Sequence, residues 1–250
     1  MATELRIFAV RGIAEAAAGD RPGALVADAI EAAQLPVADG DVIVIAQKLV
    51  SKAEGAVVAL RDISPSAEAR AWAGTYGRDA EVTEVVFQEA RRIVRMERGV
   101  IIAETRHGFI CANAGVDSSN VAPGHVTLLP RDPDGSARRA RDILETRFGC
   151  RVATIVADTF GRPWREGVVN VALGVSGLRP LDDLRGRMDR HGRRLHSTVV
   201  AIADELASAA ELVMGKTAGV PAAIVRGAGE WIGDGVGTAL VRPAEMDMFR

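Results

Sequence analysis

Lysine is nearly missing from this chain. Of its 31 basic residues only Lys48, Lys52 and Lys216 are lysines, and arginine supplies the rest. Either compositional drift left these three, or they mark places that need a compact ammonium rather than a planar guanidinium. Cysteine is scarce as well. Cys111 and Cys150 form no pair motif, which fits a reduced cytosolic protein better than a disulfide scaffold. No apolar run reaches the roughly 18 residues of a membrane span, and MATELRIFAV lacks the basic start and long apolar segment of a secretory leader. Positive charge is not in excess: 31 basic residues face 33 acidic ones, for a net charge of −2. A nucleic-acid partner is therefore not expected, and any anionic ligand must be held by local positive groups. Internal repeats, Cys/His metal clusters and a nucleophile elbow are also missing. What is present is a chain of 250 residues, 48 % of them hydrophobic. That is enough for a sizeable core in one cytoplasmic domain or in two lobes sharing a core.

The most informative stretch is residues 151–170, RVATIVADTFGRPWREGVVN. Val152, Thr154, Ile155 and Val156 predict a buried strand that ends on Asp158 and Thr159. Gly161 and Pro163 are then expected to break it into a loop carrying Arg162, Trp164, Arg165, Glu166 and Asn170. A carboxylate at the C-terminal edge of a strand, followed by arginines, suits a metal and a polyanion. An Asp-Thr turn cap beside solvated arginines reads equally well.

In chain order, residues 5–10 predict a strand, residues 24–33 a helix, and VIVIAQK at 42–48 a second strand. Gln47, Lys48, Ser51 and Lys52 gather at the exit of that strand, where they could hold a phosphate or guard a sheet edge. Residues 64–76 and 79–89 predict helices, with Trp72 in the core. Residues 91–113 predict paired strands joined near Arg98-Gly99, with His107 either structural or touching a ligand. The small-residue segment around Asp117 and Asn120 offers a hard oxygen ligand and an amide, or else an Asx-rich turn. A short strand at VTLLP precedes a charged helix over 136–148 capped by Gly149, which feeds the 151–158 strand. VALGVSGL, after Asn170, predicts a helix packed closely through glycine. Residues 180–194 predict a polar surface loop, either a lid over an anion site or a solvated face. Residues 197–213 predict a strong helix, and AAIVRG a final strand.

Two glycine motifs are decoys. Gly215-Lys216-Thr217 imitates a P-loop, but the first glycine of that motif would fall at Ala210 and the lysine ends a helix instead of opening one. Gly227, Gly229 and Gly233 miss the dinucleotide spacing. Neither a P-loop nor a Rossmann site is expected.

Taken together, AQKLVSKAEG (46–55), ETRHGFICANAGVDSSN (104–120), VADTFGRPWREG (156–167), RGRMDRHGRRL (185–195), ADELASAAELVMGK (203–216) and PAAIVRG (221–227) resemble the coenzyme F420-0:γ-glutamyl ligase family along almost the whole chain. AGVDSSN and DTFGRPWR are specific in combination. The resemblance implies an α/β fold with mixed sheets in two lobes, as one domain over residues 1–250. It also implies GTP- and divalent-metal-dependent addition of L-glutamate to the phospholactyl carboxylate of F420-0, followed by further γ-linked glutamates. Carried over by matching motif, Asp117, Asp158 and Thr159 are the expected metal ligands. Ile13, Ala14, Glu15, Ala16, Gln47, Lys52, Asn120, Met214, Gly215 and Lys216 are expected on the nucleotide. Asp158, Lys52 and Arg162 are the expected catalytic residues, with Mg2+ or Mn2+ as the cation, K+ as a further candidate, and a homodimer as the assembly.

Two departures stand out. Family members often carry glutamine near position 216, whereas Lys216 has no acceptor atom and suits a phosphate rather than a metal. A nitroreductase-like domain is not expected, and neither is FMN. Two other readings compete with the ligase: an enzyme for a related deazaflavin acceptor, and a nucleotide-binding regulator without turnover. The pairing of Asp117 with Asp158 and Thr159 speaks against the regulator.

Overall fold

The structure is a computed structural model that describes residues 4–248. Residues 1–3, part of the stretch read as free of a leader, and 249–250 lie outside the described residues. In chain order, β1 (Arg6–Val10) leads to α1 (Pro22–Ala32), β2 (Val42–Ala46) and α2 (Gln47–Ala53). The chain next forms β3 (Val57–Ala59), α3 (Ala67–Tyr76), α4 (Ala80–Glu89), β4 (Ala90–Glu97), β5 (Val100–Thr105), β6 (Ile110–Ala112) and β7 (His125–Thr127). It continues with α5 (Pro133–Phe148), β8 (Ala153–Arg162) and β9 (Arg165–Ser176), then the short pair β10 (Asp182–Asp183) and β11 (Val199–Val200). Last come α6 (Ile202–Met214) and β12 (Ala222–Arg226), followed by short 3-10 turns.

The fold is mixed α/β with several open sheets. Its centre is a five-stranded sheet in the order β1-β12-β2-β8-β9, in which only β2 and β8 run parallel. β2 reads as an unbroken apolar run because both of its faces are covered. Ile43 and Ile45 pack with α1 and α5 in one cluster, whereas Val42 and Val44 pack with α6 in another. A third cluster joins α3 and α4 to the β4-β5-β6 sheet and β7. Trp72 belongs to it as expected, half-buried with its ring centroid 4.2 Å from that of Tyr76. His107 Nε2 donates to the Arg131 carbonyl at 3.1 Å, and burial lowers its pKa. Among the described residues no helix is long and apolar enough to cross a membrane.

The structure departs from the sequence reading in several places. First, the strand expected over 42–48 stops at Ala46, and Gln47 opens α2. QKLVSKA is rich in residues that lose little rotamer freedom in a helix. Helical geometry puts Gln47 beside Ser51, whose hydroxyl donates to Gln47 Oε1 at 2.7 Å. Lys48 and Lys52, also four apart, share one face of α2 instead of guarding an edge.

Second, β8 neither ends on Asp158 and Thr159 nor breaks at Gly161. It runs to Arg162 and turns over Pro163 and Trp164 into β9. Pro163 has no N–H to offer a ladder, and Trp164 adopts φ 57°, the turn pattern of proline followed by a left-handed residue.

Third, VALGVSGL is not a helix: Val171 to Ser176 complete β9. The expected close approach through glycine does occur, but on a strand. A Cβ on Gly174 would lie 2.1 Å from the Pro133 carbonyl oxygen at the start of α5. Beside it the register slips from Val156↔Gly174 to Ala157↔Ala172, leaving Leu173 as a bulge. The helix expected over 197–213 starts later, at Ile202, because Val199 and Val200 pair with Asp183 and Asp182.

Candidate functional site

The parallel pair β2 and β8 ends in register, Ala46 opposite Ala157. The next residues, Gln47 and Asp158, therefore emerge side by side at the C-terminal edge where ligands of α/β sheets sit. A cleft of about 450 Å³ opens there, a volume suited to a small-molecule site. Its walls come from distant parts of the chain. The segment after β1 gives Ile13, Ala14, Glu15 and Ala16, and α2 gives Gln47, Lys48 and Lys52. β8 gives Asp158 and Thr159, and the end of α6 gives Met214, Gly215 and Lys216, with Asn120 at the rim. All three lysines of the chain line this one cleft.

Strand alternation divides the two residues of β8 that follow the end of its pairing with β2. Asp158 follows Val156 onto the α2 side, and Thr159 turns with Ala157 toward α6. Burial pushes the Asp158 carboxyl up to about 6, against a hydrogen bond from the Thr159 backbone N–H and the attraction of Lys216 and Lys48; nearby Asp117 adds to the rise.

Asp117 sits in a tight loop that starts with left-handed Asn113, Ala114 and Gly115. Its Oδ1 accepts from the Ser119 backbone N–H at 2.7 Å, so the Asx turn is real. Its Oδ2 lies 2.6 Å from Lys48 Nζ. Burial works against its ionisation, but hydrogen bonds from Lys48 and Ser119 outweigh burial and leave the pKa below the usual carboxylate value. Lys52 pairs with the exposed Glu15.

Two expected residues stand apart from the cleft walls. Asp117 reaches the site through Lys48 and through its field on Asp158. Arg162, one of the expected catalytic residues, does not line the cleft. Its Nη2 donates to the Glu166 carbonyl at 2.7 Å, bracing the β8-β9 hairpin.

Two other residues escaped the sequence reading. Asn170, seen there only as part of a loop, lies on β9 directly opposite Thr159 and is buried at 3 % exposure. Glu211, on α6, was not singled out at all, yet both line the cleft. A polar residue at a buried β9 position is a signal that a strand reading of VALGVSGL would have exposed. Glu211 on an amphipathic helix carries no such signal.

The oxygens here, two carboxylates and a hydroxyl, suit a hard divalent cation. Among the described residues no group of three or more His, Cys, Asp or Glu is placed to hold a metal. A cation would thus take few ligands from the protein and keep waters or substrate oxygens, the habit of Mg2+. Gln47 lines the cleft at 1 % exposure, and its Nε2 has no hydrogen-bond partner among the described residues, so it has a donor to offer a ligand there.

Fold and cleft define an α/β protein whose sheet edge gathers acids, amides and ammonium groups around one cleft. The family profile described as F420-0:Gamma-glutamyl ligase matches residues 12–227, and the chain belongs to that family. It is 47 % identical to the Coenzyme F420:L-glutamate ligase of Methanothermobacter thermautotrophicus over 249 residues, 98 % of this chain and 99 % of that one. The proteins of the same name from Methanocaldococcus jannaschii and Methanopyrus kandleri are each 49 % identical, covering 87 % and 92 % of this chain and 88 % and 93 % of theirs.

Proposed function

We propose that this chain is a GTP-dependent ligase that adds L-glutamate to the phospholactyl carboxylate of coenzyme F420-0 and then extends the product with γ-linked glutamates. The observation that carries the reading is the meeting of Lys48, Lys52, Lys216 and Asp158 in one cleft of a member of the F420-0:γ-glutamyl ligase family.

The chemistry needs such a site. A carboxylate does not condense with an amine at neutral pH, because its carbonyl is resonance-stabilised and its oxygen is a poor leaving group. Attack of a carboxylate oxygen on the γ-phosphorus of GTP, with release of GDP, makes an acyl phosphate. The glutamate amine, having lost a proton, then attacks the acyl carbon, and inorganic phosphate leaves as the C–O bond breaks.

Lys52 and Lys48 supply point charges for the phosphates, and Gln47 offers its unpartnered N–H group to a nucleotide oxygen. Lys216, a donor with no acceptor atom, takes a phosphate oxygen. Asp158, Asp117 and the Thr159 hydroxyl are the groups that would hold Mg2+ or Mn2+. Such an ion neutralises charge on the transferring phosphoryl group when bound. The reading includes a homodimer as the working assembly.

Mass spectrometry of a reaction holding the protein, F420-0, L-glutamate, GTP and Mn2+ tests it. Products heavier by one or more glutamate residues, formed with GDP, are the expected result. GTP left uncleaved and F420-0 unchanged would overturn the proposal, and ATP run in parallel tests the nucleotide preference.

A further inference from the structure

Thr159, Asn170 and Glu211 form one directed chain of hydrogen bonds. Thr159 Oγ1 donates to Asn170 Oδ1 at 2.8 Å, and Asn170 Nδ2 donates to Glu211 Oε2 at 2.8 Å. The direction follows from the chemistry at the far end. A carboxylate only accepts, and an amide has one accepting and one donating end. Glu211 therefore requires the NH2 of Asn170, which leaves the amide oxygen facing Thr159. That oxygen in turn takes the Thr159 hydroxyl proton. The lone pairs of Thr159 Oγ1 are left for the cleft, where Thr159 and Glu211 both form part of the wall.

The scaffold holds this chain in place. Asn170 is fixed opposite Thr159 by the β8-β9 ladder. α6 is tied to β9 by two more bonds: Ser208 Oγ donates to the Asn170 carbonyl at 2.7 Å, and Asp204 Oδ1 accepts from the Ala172 N–H at 2.8 Å. Asn170 is buried, so no bulk water competes to turn its amide.

We infer that Glu211 is a positioning residue: acting through Asn170, it commits the Thr159 hydroxyl as an oxygen donor to the divalent cation. This rests on the reading of Thr159 as a metal ligand. Outer partners that set the orientation of a ligand commonly change metal affinity by about 10- to 100-fold.

Mn2+ titrated alone into the purified protein, followed by the electron paramagnetic resonance of free Mn2+, tests the inference without turnover. Thr159→Val and Glu211→Ala are each expected to weaken binding about tenfold. Glu211→Gln, which still offers an oxygen to the Asn170 NH2, is expected to stay within about threefold of the parent. The decisive variant is the charge-neutral exchange Asn170→Asp with Glu211→Gln. It reverses the bond between the two positions yet keeps an oxygen facing Thr159, so Mn2+ affinity should survive.

If Thr159→Val binds Mn2+ like the parent, the metal reading fails and this inference falls with it. If Thr159→Val weakens binding while Glu211→Ala does not, the inference alone is overturned. The same holds if the folded exchange variant binds as poorly as Thr159→Val. Should Glu211→Ala not fold, the exchange variant decides.

Discussion

The ammonium of Lys48 stands 2.6 Å from Asp117 Oδ2 and also donates to the Ser119 hydroxyl. Both groups belong to the proposed metal–nucleotide site, so in the ligand-free protein the lysine serves as the counter-ion of Asp117. A divalent cation must displace it, freeing its charge for a phosphate. Lys48→Met should therefore have opposite effects on two ligands. Mn2+ binding without nucleotide should tighten by about fivefold, the worth of a partly exposed ion pair near 1 kcal/mol. GTP binding should weaken by a similar factor or more. Calorimetric titration of each ligand separately checks both signs.

Asp158 gives a stability test with a defined pH window. Its carboxyl is raised from 3.8 to about 6 in the folded chain, chiefly by burial. The folded state thus holds the proton more tightly than the unfolded state. The resulting destabilisation is absent below pH 3.8 and complete above pH 6. In the presence of a chelator, Asp158→Asn should be more stable than the parent at pH 8, by on the order of 2 kcal/mol. The difference should shrink as pH falls through 6. Urea unfolding at pH 8 and pH 5 measures it. Turnover should be lost in the same variant, since the amide is a poorer oxygen donor to a cation.

Lys52 and Arg162 were expected to share a catalytic role, but only Lys52 lines the cleft. Arg162 instead donates from Nη2 to the Glu166 carbonyl. Lys52→Ala should lower kcat/KM by about a hundredfold, a loss near 3 kcal/mol of phosphate stabilisation. Arg162→Ala should cost less than about tenfold, mainly through a looser hairpin. Steady-state kinetics with GTP varied separates the two, and equal losses would show that the hairpin closes over the substrate.

Gly174 tests the packing that shapes the far end of β9. A methyl group there meets the Pro133 carbonyl oxygen, a backbone atom that cannot step aside. Gly174→Ala should destabilise the protein by about 3 kcal/mol, the upper range for overpacking. The thermal midpoint should fall by several degrees, with little change in KM for either substrate.

Much of the architecture was legible in local chemistry. The apolar runs of β2 and β8 announced buried strands because both faces of the central sheet are covered. Gly149 marked the end of α5 by its left-handed conformation, φ 65°. The scarcity of lysine pointed at three positions, and the fold brings all of them to one cleft. β9 was misread because glycine and alanine in VALGVSGL weaken a strand signal, and only the docking of α5 against Gly174 explains the glycine there.

By itself, the sequence determined which residue types are available for chemistry: few lysines, paired acids, and a buried strand that carries Asp158 and Thr159. Only the tertiary structure decided which of them meet. The sheet order sets β12 against β2 and so carries the end of α6, with Glu211 and Lys216, to the mouth of β8. Periodicity records which face of an element is buried. It holds no record of which distant element covers that face, because burial is rewarded by apolar contact of any origin.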